Sequence, residues 1–124
     1  MKLIATPSAP VPVAAYSQGT QARGFVYTAG QIGIDPSKGA LVEGLDAQAS
    51  QAFSNIGAVL AAAGLGPADV VKMTIFMTDL TQFGVVNTIY ESFVGAHRPA
   101  RSTVGVAALP LGALVEIEAI AVAP

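Results

Sequence analysis

The chain has 124 residues, with six Lys or Arg, eight Asp or Glu and one His, for a net charge of -2. Hydrophobic residues make up 52% and charged residues only 11%, so one small domain over 1–124 carries more apolar surface than its own fold can hide, which implies a homo-oligomer. Basic residues this few and scattered argue against a nucleic-acid partner, the lack of cysteine excludes disulfides and thiolate chemistry, and one histidine cannot build a His-rich metal centre.

The N-terminus, Met1-Lys2-Leu3-Ile4-Ala5-Thr6-Pro7, lacks the apolar core of a secretory leader. No apolar run approaches the roughly 20 residues that span a bilayer, so the expectation is a cytoplasmic protein with no membrane partner. Pro7, Pro10 and Pro12 predict a short edge strand followed by an extended lead-in. Tyr16-Ser-Gln-Gly opens the first regular region, and Arg23-Gly24 reads as the turn of a hairpin. Phe25, Tyr27, Ala29 and Gln31 alternate with Val26, Thr28, Gly30 and Ile32, the period of a strand. Gly30 there marks either a bulge or a place where a ligand or neighbouring chain comes close.

Asp35-Pro-Ser-Lys-Gly is a turn. Asp46 is the expected N-cap of a helix running to about Ala63, whose apolar face is Ala49, Ala52, Phe53, Ile56, Val59, Leu60 and Ala63 at helical spacing. Gly64 ends it. Val70–Thr78 is the strongest strand, with Val71, Met73, Ile75 and Met77 expected on one face. Asp79 or Thr81 caps a second helix whose stripe is Val86, Ile89, Tyr90 and Phe93, closed by Gly95. Asn87 sits beside that stripe, as a surface amide or one reaching into a neighbouring pocket. His97, next to Arg98-Pro99, reads as a solvated loop residue.

In the C-terminal stretch, scarce charges fall inside strand-like runs. Arg101 and Thr103 share one face of their segment, and Ser102, Val104 and Val106 the other; Glu116 and Glu118 share a face of the last strand. A turn containing Pro110 and Gly112 separates the two runs, so antiparallel pairing is expected, which would bring Arg101 towards the level of Glu116 or Glu118. Such charges are costly among apolar strands unless paired or used. They form either a structural ion pair or an anion-binding arginine beside a carboxylate that handles water. The order strand, strand, strand, helix, strand, helix, strand, strand predicts an α+β fold, a mixed sheet with two helices on one face, the other face being free to pack against partner subunits.

Tyr16-Ser-Gln-Gly, Gly30-Gln-Ile, Phe76-Met-Thr-Asp-Leu, Val86-Asn-x-x-Tyr90, His97-Arg-Pro-Ala-Arg-Ser and Val115-Glu-Ile-Glu-Ala-Ile-Ala, in that order, resemble the RidA/YjgF family along nearly the whole chain. The resemblance implies the fold of Bacillus-type chorismate mutase, a barrel-like homotrimer with sites between subunits. It implies a cofactor-free deaminase that hydrolyses 2-imino or 2-enamino acids, such as 2-aminoacrylate, to 2-oxo acids and ammonia, with no metal. Carried over by position, Arg101 grips the substrate carboxylate and Glu116 holds the attacking water, while Tyr16, Gly30, Asn87 and Thr103 bind substrate. Thr103 stands where some members have cysteine. Two departures bear on substrate preference: Ala29 replaces a serine common before the Gly-Gln pair, and Ala14-Ala15 replace Gly-Pro. On a strand, the hydroxyl of Thr28 should face the other way from Ala29. Two rival functions are a non-catalytic binder of small carboxylic acids and a ribonuclease or translation inhibitor. Ammonia release from a generated imine separates the first from the deaminase; the acidic balance and lone histidine disfavour the second.

Overall fold

The computed structural model describes residues 1–124. Eight strands and two helices follow one another as β1 (Lys2–Ile4), β2 (Gly19–Ala22), β3 (Phe25–Thr28), β4 (Ile34–Asp35), β5 (Ala40–Leu41), α1 (Leu45–Ala62), β6 (Val70–Met77), α2 (Phe83–Val94), β7 (Ala100–Gly105) and β8 (Val115–Val122). Six strands form one mixed sheet in the order β1-β2-β3-β8-β6-β7, and β4 and β5 make a separate two-stranded ribbon. No helix is long and apolar enough to cross a membrane.

Local chemistry explains most of these elements. Arg23 and Gly24 both adopt positive φ, 52° and 81°, as a two-residue turn joining twisted strands requires. Asp35 accepts hydrogen bonds from the amide and hydroxyl of Ser37, fixing the β4–β5 turn. α1 begins at Leu45 with Gly44 (φ 88°) as its cap residue, so Asp46 is not the cap. It lies in the first turn, accepting from Ala47 N–H, where a carboxylate still favours the helix dipole. Asp79 caps a short 3-10 turn over Leu80–Gln82 by accepting from Thr81 N–H, and α2 starts directly after it.

The core lies between the helices and one face of the sheet. Met73, Ile75 and Met77 of β6 and Val115, Ile117, Ala119 and Ala121 of β8 meet Ala52, Phe53, Ile56, Val59 and Leu60 of α1, all fully or nearly fully buried. Val71 is not among them. The β6–β8 register shifts between Val70 and Lys72, and this irregularity turns Val70 into the core and leaves Val71 39% exposed. His97 Nε2 donates to the Val70 carbonyl beside that shift, at 2.7 Å, so His97 ties the α2–β7 connection to β6 rather than standing free in solvent.

Two further expectations need correction. β3 stops at Thr28; the chain then leaves the sheet and returns only at Gln31, which exchanges backbone hydrogen bonds with Ile117. Thr28 Oγ1 accepts from Ala119 N–H at 3.0 Å, filling the gap left in the ladder with a buried hydroxyl. β7 pairs with β6, in parallel, and not with β8. The helix α2 supplies the crossover that a parallel pair needs, and the 106–114 connection then carries the chain across β6 to its other side.

Candidate functional site

The pairing Phe76↔Glu116 and Thr74↔Glu118 against Met73↔Arg101 and Ile75↔Thr103 assigns the faces. Met73 and Ile75 point to the helices, so Arg101 and Thr103 do as well; Phe76 and Thr74 point the other way, with both glutamates. Arg101 and Glu116 therefore lie on opposite faces of one sheet, with β6 between their strands. The expected meeting of the two within a chain does not occur, and with it goes the structural ion pair.

Arg101 is held by one face of α2. Its guanidinium lies 4.6 Å from the ring centre of Tyr90 and 5.1 Å from that of Phe83, close enough for cation–π attraction to both. Nη1 donates to Asn87 Oδ1 at 2.7 Å, and Asn87 Nδ2 donates to Glu91 Oε1 at 3.0 Å. Phe83, Asn87, Tyr90 and Glu91 recur at helical spacing, which stacks them on one side of α2. Glu91 fixes which end of the Asn87 amide faces Arg101, since only the carbonyl end can accept from a guanidinium. Asn87 is thus a pocket residue. Arg98, which also caps the carbonyls of Gly95 and His97, joins Asn87, Tyr90, Glu91 and Arg101 around a polar cleft of 420 Å³. Thr103 Oγ1, two residues from Arg101 on the same face, is buried with no hydrogen-bond partner, an uncommon state for a hydroxyl.

The other half is apolar. Glu116 lines a cleft of 380 Å³ together with Val11, Val13, Tyr16, Gly30, Ile32 and Leu111. Burial and, secondarily, the charge of Glu118 raise its carboxyl above the usual range, towards values suited to a general base at neutral pH. Gly30 makes the approach possible. A Cβ there would fall 2.8 Å from Glu116 Oε2 and 2.9 Å from its Cδ, so the bulge and the close approach are one feature. Gly30 lies between two bonded residues, Ala29 and Gln31, while its own N–H and C=O make no backbone hydrogen bond. At the rim, Leu111 has φ 57° and is 74% exposed, a strained setting for a branched side chain.

Buried amides hold the loops of this half. Asn55 Nδ2 donates to the carbonyls of Ile32 and Ile34. Gln48 donates to Val42 O and accepts from Leu114 N–H. Gln18 binds the N-terminal segment. Sequence reasoning gave none of these a role, and neither did it find Phe83 or Glu91. The spacing of Phe83 and Glu91 from Asn87, four residues to either side, was the signal available for those two. Nowhere do three His, Cys, Asp or Glu side chains gather so as to hold a metal ion.

The sequence profile of the Endoribonuclease L-PSP family matches residues 6–123. A RutC family protein of Aquifex aeolicus is 50% identical, over 98% of this chain and 99% of its own length. A 2-iminobutanoate/2-iminopropanoate deaminase of Salmonella typhimurium is 48% identical, over 98% of this chain and 97% of its own. Among solved structures, E. coli TdcF with bound serine superposes with a TM-score of 0.96 at 40% identity, covering all of both chains.

Proposed function

Because this chain belongs to the Endoribonuclease L-PSP family, the RidA/YjgF group whose motifs it carries, we propose that it is an imine deaminase whose site is completed between subunits of a homotrimer. The observation that carries this reading is the split of the site. An anion-gripping arginine and a raised-pKa carboxylate occupy opposite faces of one sheet, so neither face alone holds both groups. A cleft between two copies joins the Arg101 half of one subunit to the Glu116 half of the next. The exposed apolar residues of the open sheet face, Leu3, Phe25, Tyr27 and Val104 among them, favour such an assembly.

In that cleft Arg101 presents a planar fork to the substrate carboxylate. One guanidinium nitrogen is engaged by Asn87, which fixes the fork's orientation, and Thr103 offers its unpaired hydroxyl alongside. Glu116 of the neighbouring subunit orients a water, accepts its proton as the oxygen bonds to the imine carbon, and returns that proton to nitrogen. The same carboxylate then carries the hydroxyl proton of the tetrahedral intermediate to its amino nitrogen, the C–N bond breaks, ammonia departs and the carbonyl forms. The imine carbon is already electrophilic, so positioning and charge stabilisation by these residues carry the step. Tyr16 and Gly30 line the substrate beside Glu116. Free 2-enamino acids such as 2-aminoacrylate, and the 2-imino acids they tautomerise to, arise from pyridoxal-phosphate enzymes, and this protein would meet them in the cytoplasm. The relative crystallised with serine supports an α-carboxylate ligand, and the deaminase named among the relatives supports the chemistry.

The test couples a serine or threonine dehydratase to ammonia detection with and without this protein, alongside light scattering. Faster ammonia release by a particle of three 12.5 kDa chains is expected. Binding of 2-oxo acids without acceleration would identify a binder instead, and a monomer would remove the shared cleft.

A further inference from the structure

Residues 5–18, between β1 and β2, contain no regular structure, yet they form a wall of the Glu116 cleft through Pro10, Val11, Val13 and Tyr16. Val11 and Val13 are 77% and 90% exposed, so their own packing does not fix the wall. A loop of this length has a large conformational entropy to lose and needs an anchor. Two of its hydrogen bonds are local: Ser8 N–H to Thr6 Oγ1, and Tyr16 N–H to the Ala14 carbonyl. All others made by residues 6–17 end on one side chain. Gln18 Oε1 accepts from Thr6 N–H at 2.6 Å, and Gln18 Nε2 donates to the carbonyls of Pro10 at 2.8 Å, Thr6 at 3.0 Å and Ala9 at 3.2 Å. Gln18 is only 3% exposed, and its own backbone carbonyl accepts from Ala29 N–H at 2.8 Å, next to Gly30. The amide thus links the outer wall to the strand end that admits Glu116.

Resting on the function proposed above, we propose that Gln18 is a positioning residue for the hydrolysis: its amide latches residues 6–16 over Glu116 and keeps bulk water from that carboxylate. Amide chemistry at this position is needed on both sides. A carboxylate would keep the acceptor for Thr6 but set an oxygen against three carbonyls, and a thioether would satisfy none of them. Releasing the wall rehydrates Glu116, and desolvation is the main reason its carboxyl titrates high. The groups around Glu116 leave few other sources of such a change. Tyr16 is the ionisable side chain of the wall, Phe76 faces it from β6, Leu111 from the rim, and Glu118 lies on its own strand.

The experiment compares the intact protein with Gln18→Met, Gln18→Glu and the milder Gln18→Asn, each checked for assembly. Carbon-detected NMR of labelled Glu carboxyls follows Glu116 directly, and the pH–rate profile follows it through turnover. In the variants both titrations should move to lower pH and kcat should fall about tenfold or more as the wall loses its place. Gln18→Asn, which keeps the amide but is one methylene short, should fall between. In the unaltered protein, Thr6 N–H should resist hydrogen exchange as core amides do, although it lies outside any strand. A freely exchanging Thr6, or variants that melt earlier while Glu116 titrates unchanged, would overturn the proposal. The NMR and exchange measurements need no turnover, so an unaltered protein that fails to hydrolyse imines would refute the proposed function separately.

Discussion

Gly30→Ala tests whether the approach of Glu116 through the strand gap governs its chemistry. The new methyl would stand 2.8 Å from Oε2 and 2.9 Å from Cδ, about 0.6 Å inside the distance of ordinary contact. Gly30 does not occupy the left-handed region, so alanine imposes no backbone strain there. The atoms it meets are the end of a half-exposed side chain, which can swing aside, at a cost of about 0.5–1.5 kcal/mol for a strained rotamer. For catalysis the same movement is more serious. A misplacement of 1 Å costs about two decades in rate, so 0.6 Å predicts a loss of about tenfold in kcat. Gly33→Ala makes the contrast. Its Cβ would lie 2.6 Å from Gln48 Cα and 2.7 Å from Gln48 O, helix backbone that cannot turn away, so about 1–3 kcal/mol of stability should be lost. Thermal melts and the coupled ammonia assay on both variants decide the matter. A Gly30→Ala protein with unchanged kcat, or one that loses activity only by unfolding, would refute the argument.

Arg101→Lys keeps the charge but loses the two-pronged fork and the planar stacking on Tyr90 and Phe83; kcat/KM should fall by about 2 kcal/mol, some thirtyfold, in steady-state assays of a folded variant. Glu116→Gln should slow turnover at least about a hundredfold. It should also melt higher than the parent at neutral pH. A carboxyl whose folded pKa is raised lends stability only while protonated, below its unfolded pKa, and that contribution is lost as pH rises through the folded pKa. The advantage of glutamine, seen in melts across pH, should therefore vanish as pH falls through the Glu116 titration. Thr28→Val leaves the buried Ala119 N–H without its acceptor and should cost about 1–3 kcal/mol in denaturant unfolding.

Periodicity carried the fold because it reports burial. The stripe of α1, the alternation of β8 and of β6 from Met73 to Met77, and the hairpin at Arg23-Gly24 lie where the residue pattern put them. It failed where the partner of a strand was at issue. Nothing in Arg101–Val106 says whether β6 or β8 lies beside it, and the short turn at Pro110–Gly112 suggested the wrong neighbour. Val71 was lost to a register shift, which alternation by itself cannot signal. Within the site, Arg101 and Glu116 were visible as charges in apolar strands and Gly30 as a glycine in one. The amides of Gln18, Gln48 and Asn55 were not, since a polar residue at a core position looks like any exposed one until the carbonyls it serves are in view.

The separation of the two charged groups by the thickness of a sheet has a genetic consequence. On the composite reading, a chain damaged at Arg101 still carries a sound Glu116 face, and a chain damaged at Glu116 still carries a sound Arg101 face. Two inactive alleles expressed together would then assemble rings in which some junctions unite the sound face of each. Activity would be a property of neighbours rather than of chains, recessive lesions would sort into two complementing groups, and those groups would map to opposite surfaces of one sheet.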